Sequence, residues 1–263
     1  FESENPTEFA AQKGNAIIEI IPDTEDPENM VMHVTSQDDL VYVADGMDWS
    51  NYTFECRIKI NNWGVGGAYD WDNMAPVWYA GSQDDKGNFN RYSLKYRRAS
   101  GDFALYRRAG GDTDMVSAPA SENYEGSWHD YSITTVDGLI TAYIDGEKVF
   151  EYSDSANGNG TIGFDGISVD YCVDDIKVTR QKTPNPSANM EGGVYAEHVG
   201  VTLTPAAEGQ NIFYTLDGSD PRTAENGIYY VPGETLCIEE TTVLKFTAIK
   251  EGALYSDVIE ITY

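Results

Sequence analysis

Short segments of alternating or continuous apolar residues, separated by Gly, Asp and Asn, follow one another along most of the chain. Segments of this length and spacing are typical of strands in a β-sandwich or barrel. Asp137-Gly138 and Asp145-Gly146 each stand between two segments, where a tight hairpin needs residues that tolerate positive φ. The predicted strands are DDLVYVAD, WSNYTFECRIKIN, APVWYAG, NRYSLKYRR, DFALYRRAG, WHDYSITTV, LITAYIDGEKVFEYS, GTIGFDG and VDYCVDDIKVT. The pattern predicts an all-β protein with no helix longer than one turn.

The strand pattern is interrupted by RQKTPNPSANMEGG, residues 180–193. Two prolines, polar side chains and paired glycines are typical of a linker. Beyond it, VGVTLTP, NIFYTLDGSDP, ETLCIEE, TTVLKFTAIKEG and SDVIEITY form a second, shorter set of strands that suits a small sandwich. We therefore predict a first domain over residues 1–180, a linker over 181–190 and a second domain over 191–263.

The composition agrees with a β protein and narrows the possible partners. The 18 Tyr, 5 Trp and 9 Phe residues favour strands, because flat aromatic rings pack well on pleated sheets. A net charge of -27 argues against nucleic acid, whose binding needs Lys and Arg to neutralise phosphates. No apolar run approaches the ~18 residues of a membrane helix, so we expect no membrane insertion. We expect a monomer. We also expect a piece of a longer protein, because FESENPTEF lacks the features of a signal peptide.

The three cysteines, Cys56, Cys172 and Cys237, are too few for a fold built on disulfides, and their spacing matches no metal motif. Two interpretations stay open for them. Either Cys56 and Cys172 form one bridge, or all three are buried thiols.

The second domain contains the motif YTLDGSDPR at residues 214–222, followed by Tyr229, Pro232, TTVLKFTAIKEG and Tyr255-Ser256. In this order the residues resemble the chitobiase C-terminal-like domain, a fibronectin-type-III-like, immunoglobulin-like sandwich, over residues 190–263. The resemblance implies an accessory or spacer module of bacterial extracellular polysaccharide-degrading or surface proteins, with no chemistry of its own.

The first domain carries three segments that look like concanavalin-like jelly rolls: residues 45–60, GSWHDYSITTVDGLITAYIDGEKVFEY at 126–152, and VDDIKV at 173–178. Laminin-G-like domains and carbohydrate-binding modules belong to this group, and the pattern covers residues 8–180. The resemblance implies a jelly-roll sandwich in a secreted or cell-surface protein that binds glycans. It also implies that Trp128 and Tyr131 of SWHDY are core residues.

Sugar recognition needs aromatic faces for the ring and planar donors or acceptors for the hydroxyls, and residues 61–108 concentrate both. Period-two alternation puts Arg91, Lys95 and Arg97 on one face of a strand and Tyr92, Leu94, Tyr96 and Arg98 on the other. The alternation does not decide which of these two faces would line the glycan-binding groove of the predicted jelly roll. The alternative to a binding face is a solvated face of Arg/Asp pairs. Trp78, within APVWYAG, is also a candidate for the core. The predicted ligand-binding residues are Trp63, Trp71, Trp78, Tyr79, Arg91, Tyr96, Arg98, Tyr106 and Arg108.

A structural Ca²⁺ is expected from the resemblance, because concanavalin-like jelly rolls often hold one with a carboxylate of the last strand. Asp174 or Asp175 would supply that carboxylate, and Glu2 or Glu4 and Asp45 would assist. A strand-edge Asp that caps backbone amides is the alternative. The acidic clusters at 70–73 and 84–85 do not match an EF-hand loop.

These observations predict a non-catalytic carbohydrate-binding fragment of a larger secreted or cell-surface bacterial glycan-degrading protein, whose partner is a polysaccharide or oligosaccharide. Glycosidases of this fold class place carboxylates as Glu-x-Asp-x-x-Glu on one strand, and the chain has no such run. Two alternatives remain: a protein-binding adhesin domain and a sandwich-fold glycoside hydrolase.

Overall fold

The computed structural model describes residues 9–44 and 49–263, and this part of the chain contains strands and turns but no α-helix. The chain divides into two compact units, of which the first ends at Thr179 and the second comprises Arg180–Tyr263. No helix in the described ranges is long and apolar enough to cross a membrane. The all-β fold class predicted from the sequence is confirmed.

Twelve strands of the described residues belong to the first unit, apart from the last residue of the twelfth. They are β1 (Phe9–Ala11), β2 (Ala16–Pro22), β3 (Met30–Val43), β4 (Tyr52–Trp63), β5 (Asn73–Ala80), β6 (Arg91–Arg97), β7 (Asp102–Arg108), β8 (Asp112–Pro119), β9 (Trp128–Val136), β10 (Leu139–Ile144), β11 (Glu147–Ser153) and β12 (Thr161–Arg180).

The first unit is a jelly-roll sandwich of two layers that share the long strands β3 and β12. In the front layer, the first half of β12 pairs with the second half of β3 and with β5, and β6, β7 and β8 follow in order. In the back layer, the second half of β12 lies between the first half of β3 and β4, and β9, β10 and β11 follow β4. All pairings between these strands that the register describes are antiparallel.

Strand β12 passes from one layer to the other at Ser168. Before this residue the core side chains stand at even positions, Ile162 and Phe164, and after it at odd positions, Val169 and Tyr171. Side chains alternate strictly along a regular strand, so a change of parity requires a local irregularity. Ser168 provides it with a φ of 53°, and its carbonyl accepts a hydrogen bond from Gly64 N.

The core of the first unit is rich in aromatic residues from both layers, as the composition predicted. Phe54 of the back layer lies 5.8 Å from Phe164 of β12, measured between ring centroids. Tyr131 is buried, as expected for SWHDY, but Trp128 is not a core residue. It lies on the outer face of the back layer, where the Arg57 guanidinium stands 5.0 Å from its ring and its Nε1 donates to Asp23.

The second unit is a small immunoglobulin-like sandwich with its own core. Its strands are β13 (Ser187–Ala188), β14 (Val199–Val201), β15 (Leu203–Thr204), β16 (Gln210–Thr215), β17 (Ile228–Tyr229), β18 (Leu236–Ile238), β19 (Val243–Lys250) and β20 (Ile259–Thr262). The order β17-β16-β19-β20 forms one sheet, and β14-β18 and β13-β15 are two-stranded. Val201, Leu244 and Phe246 are fully buried between them.

The segment predicted as a linker over residues 181–190 is part of the second unit in the structure. Thr183 is buried, its amide donates to the Leu254 carbonyl, and its hydroxyl accepts from Lys250 N. This segment, with its prolines and polar residues, is therefore held by hydrogen bonds of the backbone. Such bonds do not require an apolar pattern, so the sequence alone gives no sign of them.

All three cysteines are free thiols in the structure. Cys56 and Cys172 are buried, and burial raises the pKa of both thiols. Cys237 is exposed, so the interpretation of three buried thiols is wrong for this residue.

Candidate functional site

The structure decides which face of β6 points outward. Tyr92, Leu94 and Tyr96 belong to the core between the layers. Alternation therefore places Arg91 and Lys95 on the outer surface of the front layer. The register continues this surface onto β7, where Arg108 lies opposite Arg91 and Tyr106 opposite Ser93.

A polar cavity of about 180 Å³ opens on this surface, and we call it the front pocket. Its lining comes from β3 and β12, from the consecutive strands β6, β7 and β8, which β5 joins to β12 in the front layer, and from adjoining loops. The lining includes Arg91, Lys95, Tyr106, Arg108, Asp112 and Asp165. The pocket thus contains three of the predicted ligand-binding residues.

A buried ion pair joins Arg91 to Asp165 in the front pocket. Arg91 Nη2 donates to Asp165 Oδ2 at 2.6 Å, and the two side chains are 10% and 8% exposed. Burial alone raises the pKa of Asp165, but the charges of Arg91 and Lys95 outweigh it, so the pKa is lowered. Asp165 is therefore an ionised acceptor whose position is set by its partner.

Lys95 lies over the ring of Tyr106, with 3.5 Å between its Nζ and the ring centroid. The ring's negative face attracts the ammonium group, and the contact holds the flexible side chain in place. One face of Tyr106 is therefore already covered by a cation.

Arg108 connects the pocket to the loop between β5 and β6. It donates to Asp84 Oδ2 and to Asp112 Oδ1, each at 2.8 Å. Asp84 also accepts backbone hydrogen bonds from Lys86 and Asn88, and these contacts, with that of Arg108, hold its pKa far below the usual range. The acidic cluster at 84–85 thus contributes a loop-forming carboxylate.

Four of the predicted ligand-binding residues lie in the core instead of a site. Trp63, Trp78, Tyr79 and Tyr96 are between 1% and 7% exposed and belong to the main hydrophobic cluster. They cannot offer a ring face to a ligand from this position. Tyr79 adopts a φ of 52° and its hydroxyl accepts from Asn51 N, and burial raises its pKa to about 12.

Of the remaining predicted residues, Trp71 lies in the loop between β4 and β5, and Arg98 directly follows β6 and contacts Asp72 of that loop. Trp71 is 63% exposed and stacks on Tyr69 with 5.0 Å between centroids and 11° between planes. Arg98 pairs with the fully buried carboxylate of Asp72 at 3.2 Å. Neither Trp71 nor Arg98 lines the front pocket.

The predicted calcium ligands do not form a complete site among the described residues. Asp174 is buried and accepts from Asn29 Nδ2 at 2.7 Å. Asp175 is 68% exposed and lies 3.6 Å from Arg57, so the two carboxylates do not share a site. Glu2 and Asp45 lie outside the described residues, as does Glu4. Ca²⁺ takes six to eight oxygen ligands, of which the described residues would supply only a part, and calcium stays a prediction.

One group of potential metal ligands exists within residues 9–44 and 49–263: Glu122, His129 and Asp145. His129 Nδ1 contacts Asp145 Oδ2 at 2.7 Å, and its ring lies 4.2 Å from the Tyr124 ring. Asp145 Oδ1 also accepts from the amide of Asp130. These contacts tie β9 to the turn after β10, which agrees with the interpretation of SWHDY as a structural motif.

Several residues of the front pocket are not among the predicted binding residues. Alternation separates Lys95 from Tyr96 without deciding which face binds a ligand, and the predicted binding residues include neither Lys95 nor Asp165. A signal for Asp165 existed, because it interrupts the apolar run TIGFDGI and Asp is rarely buried without a partner. Gln12 and Lys13 of the pocket wall carry no such signal.

The comparisons with known proteins agree with this architecture. The family model of the chitobiase/beta-hexosaminidase C-terminal domain matches residues 190–260. The carbohydrate binding module CBM66 from Bacillus subtilis has a TM-score of 0.50 at 12% identity, covering 65% of this chain and 94% of that one. No curated protein matches the sequence.

A second solved structure has the same degree of similarity. The GH16 of the Bacteroides ovatus mixed linkage glucan PUL, in complex with its G4G4G3G product, has a TM-score of 0.50 at 11% identity, covering 68% of this chain and 98% of that one. The protein is therefore a jelly roll of the fold that carbohydrate-binding modules share with GH16, followed by a chitobiase C-terminal-like domain. The resemblance of the first domain is confirmed at the level of fold, and that of the second domain by the family model that matches residues 190–260.

Proposed function

We propose that the first unit is a non-catalytic carbohydrate-binding module that takes up one sugar residue of a polysaccharide or oligosaccharide in the front pocket. The observation that carries this proposal is the polar cavity of about 180 Å³ on the outer surface of the front layer. Cavities for drug-sized ligands measure about 300–1,000 Å³, so the front pocket suits one small polar group of a longer ligand.

The chemistry of the lining supports a sugar. Each sugar hydroxyl both donates and accepts a hydrogen bond, and the pocket offers carboxylate acceptors and Arg and Lys donors. The pair of Arg91 and Asp165 holds these groups in position before a ligand arrives, which reduces the entropy lost on binding.

The electrostatics of Asp165 support binding over hydrolysis. A glycosidase acid must carry a proton near neutral pH, which requires a raised pKa. Arg91 and Lys95 lower the pKa of Asp165, so this carboxylate is an acceptor and not an acid.

The second unit supports a wider context for this function. The family model that matches residues 190–260 is named for the C-terminal domain of chitobiase and beta-hexosaminidase. We therefore place the chain, as a monomer, in a secreted or cell-surface bacterial protein that degrades glycans, with the second unit as an accessory module.

A glycan array followed by calorimetry tests the proposal with the whole chain. We expect binding of at least one polysaccharide or oligosaccharide, and Tyr106→Phe should weaken it about two- to tenfold by removing a neutral hydrogen-bonding group. Tyr143→Phe is the matched control, because Tyr143 is 37% exposed on β10 of the back layer. Binding to no glycan would contradict the proposal. Hydrolysis of the bound glycan would favour a glycoside hydrolase instead.

The stacked pair of Tyr69 and Trp71 favours a protein-binding adhesin as the second candidate, because exposed aromatic groups often mark protein interfaces. Trp71→Ala distinguishes the two functions. An adhesin loses its protein partner with this substitution, whereas the proposed module keeps glycan binding in the front pocket.

A further inference from the structure

Lys95 differs from the other cations of the front pocket in its partners. Its side chain is half-buried, and its Nζ lies 3.5 Å from the centroid of the Tyr106 ring. In the part of the chain that the structure describes, no carboxylate forms an ion pair with it within 4.0 Å.

The neighbouring carboxylates are all engaged by other cations. Asp165 pairs with Arg91 at 2.6 Å, and Asp112 pairs with Arg108 at 2.8 Å. At the rim, Asp38 pairs with Lys13 at 2.7 Å. Three cations of the pocket thus have an ion-pair partner, whereas the ammonium of Lys95 has none within 4.0 Å among the described residues.

Further donors in the same lining lack acceptors. The Nε atoms of Arg91 and Arg108 are buried and have no hydrogen-bond partner among the described residues. A buried donor without an acceptor costs about 1–3 kcal/mol, so such groups usually have a partner in the functional complex. The pocket lining therefore contains hydrogen-bond donors that no acceptor of the described residues satisfies.

Burial makes the charged form of Lys95 less favourable. Burial lowers the pKa of Lys95, and the charge of Asp165 only partly opposes this effect. An anion placed beside the ammonium would stabilise its charged form, because an opposite charge in a partly desolvated site is weakly screened.

We propose that the front pocket selects sugars that carry an anionic group, either the carboxylate of a uronic acid or a sulfate ester, and that Lys95 is the counter-ion of this group. The inference rests on the proposed function, since it names the ligand class of the same pocket. The net charge of -27 repels polyanions over the whole surface, so a preference for acidic sugars must come from this local site.

Calorimetry with matched ligands tests the inference on the whole chain. One ligand is an oligouronide, the second is the same oligosaccharide after its carboxyl groups are reduced to alcohols, and the third is a sulfated form of the neutral oligosaccharide. We expect one of the charged forms to bind about tenfold or more tightly than the neutral form, as charge-assisted hydrogen bonds require. The tighter of the two charged forms identifies the source of the anion.

Substitutions of Lys95 locate this preference. Lys95→Met keeps the length of the side chain over Tyr106 but should reduce the preference for the charged ligand to about twofold or less. Lys95→Arg should retain most of it, and Lys148→Met is the control, because Lys148 lies on β11 and pairs with Glu151. Unfolding temperatures of the variants verify that each is folded.

The binding results distinguish a wrong ligand class from a complete lack of glycan binding. Equal or tighter binding of the neutral oligosaccharide, weakened by Tyr106→Phe, would overturn the inference and leave glycan binding in place. A preference for charged ligands that survives in Lys95→Met would also overturn it. Binding of none of the three ligands, nor of any glycan on the array, would overturn both.

Discussion

At the scale of single residues, the front pocket depends on polar side chains whose partners come from distant strands. Arg91 and Asp165 are 74 positions apart in the sequence and form a 2.6 Å ion pair, in which the two side chains are 10% and 8% exposed. A buried ion pair contributes little net stability, because desolvation offsets the attraction between the charges. Removal of one partner is costly, since the other charge then remains buried and unpaired.

We therefore expect Asp165→Asn to lower the free energy of unfolding by about 3–5 kcal/mol, measured by urea denaturation. Addition of Arg91→Met should recover part of this loss, because it removes the unpaired charge. Glu151→Gln is the control, since the exposed pair of Lys148 and Glu151 contributes about 1 kcal/mol or less. A loss below about 1 kcal/mol for Asp165→Asn would contradict the importance of the pair.

The same variant has a distinct pH dependence. The folded-state pKa of Asp165 is lowered, because Arg91 and Lys95 outweigh the effect of burial. Such a carboxyl stabilises the folded protein above its unfolded pKa of about 3.9, and this stability is lost as pH falls through the folded value. Below about pH 4, the free energy of unfolding should fall more steeply in the wild type than in Asp165→Asn. Parallel curves would contradict the assignment.

At the scale of elements, β12 connects the two layers and is the strand on which the sandwich depends. The sequence pattern predicts two strands, GTIGFDG and VDYCVDDIKVT, where the structure has one strand over Thr161–Arg180. The change of parity at Ser168 explains the difference, because the apolar pattern is out of phase on either side of it.

Substitutions at Ser168 test this bend. A φ of 53° costs a residue with a side chain about 1–2 kcal/mol, and a β-branched residue more. Ser168→Gly should be neutral or stabilising, whereas Ser168→Val should unfold at a temperature lower by about 4 °C or more than Ser168→Gly, measured by thermal denaturation. Equal unfolding temperatures of the two variants would contradict a left-handed conformation at this position.

Other strands show where periodicity is informative and where it is not. The central strands β6 and β7 were predicted from NRYSLKYRR and DFALYRRAG, because their two faces differ in polarity. Strand β2 and the first half of β3 were not among the predicted strands, although they pair over residues 16–22 and 30–36. Strand β8, DTDMVSAP, is polar and largely exposed, so its pairing with β7 leaves little trace in the sequence.

At the scale of the whole molecule, an acidic protein with 44 Asp and Glu residues engages many carboxylates in ion pairs and turns. Asp84 and Asp72 hold loops beside Arg108 and Arg98, and neither acts as part of an acidic metal cluster in the described residues. Arg/Asp pairs are therefore frequent in the front layer, and that of Arg91 and Asp165 is buried. The front pocket lies within this network of pairs.

The predicted Ca²⁺ site would depend on the fold of the whole first unit, because its candidate ligands come from distant parts of the chain. An ion that binds only the folded state should raise the unfolding temperature as its concentration rises. We expect Ca²⁺ to raise it by several degrees, Asp174→Asn to abolish this shift, and Asp175→Asn, the exposed neighbour, to keep it. An unfolding temperature independent of Ca²⁺ and of chelator would contradict the calcium site.

The sequence by itself determined the features that depend on local chemistry. Alternating segments and Asp-Gly turns specified an all-β chain, and the motif at 214–222 specified the family of the second domain. Alternation also separated Lys95 from Tyr96 correctly, since neighbouring side chains in a strand must point to opposite faces.

Only the tertiary structure decided which of those faces meets the core and which meets a ligand. An aromatic side chain such as Trp78 suits both environments, so its burial depends on the layer packed above it. The pairing of Arg91 with Asp165 depends on strand order in the front layer, which joins β6 to β12 through β5. Local patterns carry no information about such contacts, because they form between segments that only the folded sheet brings together.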